Sequence, residues 1–167
     1  MKRLLQLTLV LLITAGLTTV ANAQVTIQAQ ATVDANSSVT AGNNLNFNNI
    51  ASGASQSVAP DEAGAGTFTV SGNQTVDLSF TLPSNLTNGS GDNMGITFGN
   101  NDAAWSDDAS ASNTFDPSTG TTNPINLVSE TSDGEITVFI GGTINSSNER
   151  LVAGSYSGDI TLTATFN

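Results

Sequence analysis

Apolar and polar residues alternate at the C-terminal end of the chain, over residues 154–167, with Gly158 between the apolar Tyr156 and Ile160. Successive side chains of a β-strand point to opposite faces, so this pattern predicts a strand with one apolar face and one threonine face. The segment begins at Gly154, and its apolar face consists of Tyr156, Ile160, Leu162, Ala164 and Phe166. Because the apolar face needs a second layer to cover it, the strand predicts packed β-sheets.

The same alternation occurs in residues 24–34, where threonine and glutamine separate small or β-branched apolar residues. The apolar positions of this predicted strand are Val25, Ile27, Ala29, Ala31 and Val33. The strand can pair within its own chain or add to the sheet of another copy, as in strand-addition complexes. The sequence leaves both alternatives open.

Shorter strands are predicted at residues 45–50, 56–59, 67–70, 75–82, 94–98, 125–128 and 135–144. We expect residues 68–82 to form a hairpin, with its turn at residues 71–73. Residues 100–122 are predicted to be the longest irregular stretch. No helical period of 3.6 residues competes with these strands. The pattern therefore predicts an all-β fold, an antiparallel immunoglobulin-like β-sandwich of about eight short strands.

The first 23 residues have the pattern of a secretory signal peptide. Lys2 and Arg3 precede an apolar run over residues 4–20, and Ala21-Asn22-Ala23 forms a small-x-small cleavage site. A retained N-terminal helix is the alternative, but the run is short for a membrane span. We expect the mature chain to begin at Gln24 and to form one domain over residues 24–167, secreted to the periplasm or cell surface of a bacterium.

The mature chain is strongly acidic. Arg150 is then its only basic side chain against fourteen acidic ones, which leaves a side-chain charge of about −13. Nucleic acid is excluded as a partner because binding to phosphates requires Lys or Arg. Anionic membrane surfaces are excluded for the same reason. Cations, neutral glycans and other proteins remain as possible partners.

Catalytic chemistry has few candidate residues in this chain. It contains neither histidine nor cysteine, so the usual bases and thiol nucleophiles are absent. Two carboxylates can in principle hydrolyse a glycoside, which is the alternative that fourteen acids leave open. We expect a non-enzymatic protein without a cofactor, apart from the calcium considered next.

The 100–122 segment is rich in oxygen ligands, and calcium binds six to eight of these. The candidate ligands are Asp102, Asp107, Asp108 and Asp116. Their spacing matches no EF-hand loop, and solvated turns capped by Asx side chains are the alternative. Trp105 lies in the same segment, where it could stack on a sugar ring, anchor a neighbouring subunit or close the open end of the sandwich.

Five segments, taken in order, resemble a secreted bacterial family known as domain of unknown function 4402. They are residues 45–50, 66–72, 81–84, 134–143 and 153–158. The resemblance covers nearly all of the mature chain. It implies an immunoglobulin-like sandwich in the bacterial envelope and no known activity.

The C-terminal strand also resembles that of chaperone–usher pilin subunits. Phe166 is a penultimate aromatic, alternating apolar residues precede it, and Gly154 is the fourteenth residue from the end. The resemblance implies an N-terminal strand that completes the sandwich of the next subunit, a role for which residues 24–34 have the right composition. Unlike many pilins, this chain contains no cysteine pair, and its first strand runs into the domain with little linker.

These observations lead us to expect a structural protein of the envelope or cell surface, in one form a pilus-like subunit. Its partners would be itself or other envelope proteins, joined by pairing of edge strands. The alternative is a monomeric module that binds calcium or glycan through residues 100–122.

Overall fold

The computed structural model describes residues 30–31, 36–145 and 151–167. Its contacts divide the chain into residues 1–33 and 34–167, and the elements below all belong to the second unit. This unit is all-β, with no helix among the described residues. Twelve strands occur there: β1 Ser37–Ala41, β2 Ser55–Val58, β3 Gly66–Gly72, β4 Thr75–Thr81, β5 Asn85–Thr87, β6 Asn93–Thr97, β7 Ala103–Ser106, β8 Asn113–Phe115, β9 Ile125–Asn126, β10 Glu135–Ile140, β11 Gly142–Asn145 and β12 Thr161–Phe166.

The strands form three antiparallel sheets. A five-stranded sheet has the order β1-β3-β10-β7-β8, a four-stranded sheet β2-β11-β6-β5, and a three-stranded sheet β12-β4-β9. The antiparallel all-β prediction is confirmed, and the arrangement is consistent with a β-sandwich. Twelve strands rather than about eight are present because several very short ones lie in Ser-, Asn- and Thr-rich segments.

The first core lies between the five-stranded and the three-stranded sheet. Its buried side chains come from strands of both sheets and from the segment after β9: Val70, Val76, Leu78, Ile125, Leu127, Ile136, Val138 and Leu162. Phe68, Phe80 and Phe115 pack against this core as a row of neighbouring rings. Alternation predicts inward faces of Val76, Leu78, Phe80 and Leu82 in and after β4, and of Ile136, Val138 and Ile140 in β10. All of these are buried except Phe80 and Leu82, which are half-buried.

The predicted hairpin over residues 68–82 is wrong. β3 pairs with β1 and β10, whereas β4 pairs with β12 and β9. Val70 and Val76 both belong to the first core, so the two strands face each other across it. Alternation specifies which face is buried, but it does not distinguish a partner in the same sheet from one in the opposite sheet. β3 also extends to Gly72, through the residues predicted to form the turn.

The single strand predicted at residues 135–144 is two strands in different sheets. β10 pairs with β3 and β7, and β11 pairs with β2 and β6. The change of sheet occurs at Gly141, where a Cβ atom would overlap the carbonyl oxygen of Val58. Its N–H donates to the carbonyl oxygen of Asp102 at 2.7 Å. Strands that pass from one sheet to another in this way form the corners of packed sheets.

A second core lies on the four-stranded sheet, with buried Phe47, Val58, Ala65, Met94, Ile96 and Ile144. β2 overlaps the strand predicted at residues 56–59 and lies at the edge of this sheet, and Pro60 follows it. The strand predicted at residues 45–50 is wrong, although Phe47 is buried there. Asn48 has a φ of 55° and donates its N–H to the Asn46 side-chain oxygen at 2.7 Å. This Asx turn interrupts the extended backbone.

The stretch predicted to be irregular, residues 100–122, contains a hairpin of β7 and β8 at the edge of the five-stranded sheet. Ala103, Ala104 and Ser106 are buried. Alanine and serine are small and only weakly apolar, so their burial leaves little trace in the pattern of the sequence. The Ser106 hydroxyl accepts the Ser110 N–H at 2.9 Å and so supports the turn between the two strands.

The regular part of the C-terminal strand is β12, which is shorter than the predicted segment of residues 154–167. Leu162 is buried, Ala164 and Phe166 are half-buried, and the intervening threonines are exposed. The predicted apolar face is therefore confirmed for the residues within β12. No helix in the described part of the chain has the length and apolar character needed to span a bilayer. The predicted signal peptide and most of the predicted first strand lie outside the described residues.

Candidate functional site

One concave surface is a groove of about 850 Å³, which we call the apolar groove. It lies between the end of the five-stranded sheet, at Ala41 and Phe68, and the second core. Its lining is mixed: asparagine and serine residues alternate with apolar side chains, which include Leu45, Phe47, Leu86, Met94, Ile96 and Tyr156. Met94 and Ile96 are buried, whereas Leu45, Leu86 and Tyr156 are half-buried. Part of the second core therefore faces the open groove.

Two irregular segments form the walls of the apolar groove. The first wall is residues 43–50. It is held by two hydrogen bonds: the Asn46 N–H donates to the Gly64 carbonyl oxygen at 2.8 Å, and the Thr67 N–H donates to the Asn43 carbonyl oxygen at 2.9 Å. The second wall is residues 151–160, which contact β5 through an isolated bridge between Thr87 and Ser157. This wall lies alongside β5 without forming a regular strand.

The predicted assembly residues fall into three groups. Leu162, Ala164 and Phe166 lie on β12, an edge strand paired with β4. Gly154, Tyr156 and Ile160 precede β12 and line the apolar groove. The residues of the predicted first strand, Val25, Ile27, Ala29 and Val33, lie outside the described residues, and Ala31 is exposed and irregular. Three of the predicted C-terminal assembly residues, Gly154, Tyr156 and Ile160, therefore line the apolar groove. The alternation in the sequence does not predict this.

Three of the four candidate calcium ligands are engaged in separate local turns. A carboxylate oxygen of Asp102 accepts the Gly99 N–H at 2.6 Å. Asp108 accepts the Ser110 N–H at 3.1 Å, and Asp116 accepts both the N–H and the hydroxyl of Ser118. Asp107 is exposed. Within residues 36–145 and 151–167, no group of three or more acidic side chains could hold a metal ion.

Two of these carboxylates have lowered pKa values. The hydroxyl and the backbone N–H of Ser118 hold the pKa of Asp116 below its ordinary value of 3.8. The side chain and backbone of Ser110 lower the pKa of Asp108 in the same way. In both cases hydrogen bonds to the charged form favour ionisation. These are capping interactions within Asx turns.

A smaller cleft of about 300 Å³ lies beside Trp105, and we call it the Trp105 cleft. Trp105 and Phe115 are half-buried on its apolar side and pack against the first core. Its rim is polar and exposed, and it consists of Asn113, Thr114, Thr122, Asn123 and Glu130. Trp105 therefore contacts the core while part of its surface faces a polar-rimmed opening.

The sequence singles out Trp105 but not its neighbours in the cleft. Phe115 lies within the predicted irregular stretch, and Glu130 lies beyond it. Trp105 and Phe115 share a face because Trp105 pairs with Asn113 in the β7–β8 hairpin and Ala103 pairs with Phe115. An aromatic at each end of a Ser- and Asn-rich segment was the available signal.

The fold and the two concave sites define an antiparallel all-β protein with an apolar groove and a separate aromatic cleft. No protein-family model matches the chain, and no curated protein is significantly similar to it. The resemblances to domain of unknown function 4402 and to chaperone–usher pilins stay predictions.

Proposed function

We propose that the chain is a non-enzymatic structural protein of the bacterial envelope or cell surface that assembles by strand addition. In this proposal residues 1–23 are removed on secretion, and the sheets form an immunoglobulin-like sandwich. The first strand of one mature copy enters the apolar groove of the next copy. The observation that carries the proposal is the apolar groove, which leaves part of the second core uncovered.

The groove offers apolar contacts along a mixed lining, which suits a strand with one apolar and one polar face. Half-buried Leu45, Leu86 and Tyr156 border it, and buried Met94 and Ile96 reach its floor. Burial of apolar surface contributes about 25 cal/mol per Å², so covering these side chains favours association. A groove of this size between two sheets accommodates alternate side chains of an added strand.

The wall of residues 151–160 pairs with β5 through an isolated bridge only, so an added strand could take its place beside β5. Along β5, the wall of residues 151–160 is joined through the Thr87 N–H, which donates to the Ser157 carbonyl oxygen at 2.8 Å, and the Ser157 N–H, which donates back at 2.9 Å. A strand replacing this irregular wall would form a ladder of bonds instead of an isolated bridge. Such a ladder gives affinity, and the side-chain pockets give specificity.

Residues 24–34 suit this groove in size and polarity. One face carries Val25, Ile27, Ala29, Ala31 and Val33. The opposite face carries threonine and glutamine, which would remain in water. The segment contains no Lys or Arg and only one acid, Asp34 at its end, so the acidic surface of a second copy repels it little.

Assembly can be tested with the mature chain beginning at Gln24. We expect oligomers by size-exclusion chromatography with light scattering. On an unboiled SDS gel we expect oligomer bands, which boiling should convert to the monomer band. Deletion of residues 24–34 should leave a monomer. A peptide of residues 24–34 should then bind the deletion variant, and Leu86→Arg at the groove rim should weaken that binding.

The matched control uses the two faces of the same strand. The double change Ile27→Asp with Ala29→Asp places charge on the apolar face and should abolish assembly, because an unpaired buried carboxylate is costly. Gln28→Asp with Gln30→Asp adds the same charge to the polar face and should leave assembly intact. A mature chain that is monomeric both with and without residues 24–34 contradicts the proposal. So does a monomeric mature chain whose deletion variant binds the peptide, since the strand then pairs within its own chain.

A further inference from the structure

We infer that the Trp105 cleft binds a neutral sugar, with the ring stacked on Trp105 and its hydroxyls bonded to the rim. This function is independent of assembly, because the cleft and the apolar groove share none of their lining residues.

The aromatic side of the cleft is held in place by the first core. Trp105 lies opposite Val138 of β10, and Val138 is fully buried. The Phe115 ring lies nearly parallel to that of Phe80, with ring centroids 6.2 Å apart. Packing therefore fixes both aromatics, and the half-buried Trp105 keeps part of its ring accessible. A flat, fixed aromatic surface is what the C–H face of a sugar ring packs against.

The opposite wall, residues 121–125, is fixed to the three-stranded sheet. The Thr121 N–H donates to the Leu78 carbonyl oxygen at 3.0 Å, and the Thr121 hydroxyl accepts the Leu78 N–H at 3.0 Å. Ile125 pairs with Val76 and is buried. Both walls of the cleft are thus attached to strands, so little conformational entropy is lost when a ligand binds.

The rim supplies the hydrogen-bonding groups that a sugar needs. The Asn113 side-chain amide donates to the Trp105 carbonyl oxygen at 3.2 Å, which holds Asn113 beside the ring. Glu130 is positioned by a turn in which its N–H donates to the Asn126 carbonyl oxygen at 2.8 Å. Thr114, Thr122 and Asn123 complete the rim. An apolar wall with a few placed polar groups is the usual composition of a small-molecule site.

Charge selects neutral sugars from among the glycans. The rim contains a carboxylate, Glu130, and none of its residues is basic. Formal charge over the whole chain is −11, so sialylated, uronic or sulfated glycans are repelled. A carboxylate accepts hydrogen bonds from sugar hydroxyls, and bonds to a charged acceptor are the stronger kind.

The test uses intrinsic fluorescence, because Trp105 is the only tryptophan of the chain. The mature protein is titrated with the neutral tetrasaccharides cellotetraose, mannotetraose and chitotetraose. At least one of them should shift or quench the emission of Trp105 and give a saturable isotherm by calorimetry. Glu130→Gln should weaken this binding about tenfold, through loss of hydrogen bonds to a charged group.

Two further variants separate binding from folding. Trp105→Phe keeps an aromatic in the core, and it should weaken binding by calorimetry while the unfolding transition stays cooperative. Glu135→Gln makes the same change of charge at an exposed position outside the cleft, and it should leave affinity unchanged. Absence of a response to all three sugars overturns the inference. Binding that survives both Glu130→Gln and Trp105→Phe overturns it as well. Choline is titrated in parallel, and a response to choline alone also overturns the inference, because it would indicate a cation site.

Discussion

A Cβ atom on Gly120 would overlap the carbonyl oxygen of Leu78, and the backbone of Gly120 has a φ of +76°. This glycine ends the turn that begins at Asp116, whose carbonyl oxygen accepts the Gly120 N–H at 2.9 Å. Gly120→Ala combines left-handed strain with a clash against β4. We expect a loss of about 2–4 kcal/mol in the free energy of unfolding, measured by urea denaturation with Trp105 fluorescence.

Two other glycines separate the contributions to this loss. Gly53 has a φ of +79°, but a Cβ atom added there would face open space, with no atom beyond its chain neighbours within 4 Å. Gly53→Ala should therefore cost only the strain, about 1–2 kcal/mol. Gly89 has open space and no positive φ, and Gly89→Ala should change stability by less than about 0.5 kcal/mol. Equal effects at Gly120 and Gly53 would show that the contact with Leu78 is not the cause.

The neighbours Leu127 and Val128 should respond very differently to truncation. Leu127 is fully buried in the first core, whereas Val128 is 64% exposed. Leu127→Ala should reduce the free energy of unfolding by about 2–5 kcal/mol, through lost burial and a residual cavity. Val128→Ala should cost less than about 0.5 kcal/mol. The measurement is the shift in urea midpoint at constant slope, and a comparable shift for both variants would contradict the assigned core.

Alternation in the sequence predicted the buried faces of β4, β10 and β12 correctly, because one residue in two must face the core. It did not predict which strands pair. Val70 and Val76 read as the two sides of a hairpin, but they face each other across the first core. Gly141 marks a change of sheet that looked like a continuation of β10. Which strands pair depends on the packing of the whole domain. The sequence of one short strand does not specify its partner, because the strands are similar to one another.

The candidate sites were predicted less completely than the fold. The sequence identifies Trp105 as a candidate, but Glu130 reaches the cleft through a turn capped by Asn126, whose side-chain oxygen accepts the Val128 N–H at 3.1 Å. Nothing in the composition around Glu130 distinguishes it from the other acids. The sequence singles out the Asp residues of the 100–122 segment because several of them occur close together. The turns that engage Asp108 and Asp116 depend instead on the serine two positions after each.

Asp116 should make stability depend on pH in the acid range. Because Ser118 lowers its pKa in the folded state below 3.8, ionised Asp116 stabilises the fold fully above that value. The contribution is lost as pH falls through the lower folded pKa. We expect Asp116→Asn to reduce the difference in urea midpoint between neutral pH and a pH well below 3.8.

The matched control for this effect is Asp61→Asn, which removes one charge from an exposed loop, so that a change shared by both variants reflects the loss of charge alone. Ser118→Ala should raise the pKa of Asp116, as followed by the carboxyl carbon shift in an NMR titration. A titration midpoint for Asp116 at or above 3.8 in the unaltered chain would contradict the role assigned to Ser118.

Phe166, next to the end of the chain, closes the first core. It lies opposite Val76 in the β12–β4 pair, and its ring is so close to Gly72 of β3 that a Cβ there would lie 3.1 Å from a ring carbon. The ring thus connects the three-stranded sheet to the five-stranded one. Phe166→Ala should cost about 1–3 kcal/mol, less than for a fully buried ring because Phe166 is half-buried.

Thr165→Ala provides the control on the opposite, exposed face of β12, and it should change the free energy of unfolding by less than about 0.5 kcal/mol. Both variants are measured by urea denaturation of the chain lacking residues 24–34, so that assembly does not add to stability. If Phe166→Ala costs no more than Thr165→Ala there, the ring does not connect the sheets. If the cost appears only in the chain that retains residues 24–34, Phe166 acts in assembly rather than in closing the core, because the loss then depends on contacts between copies.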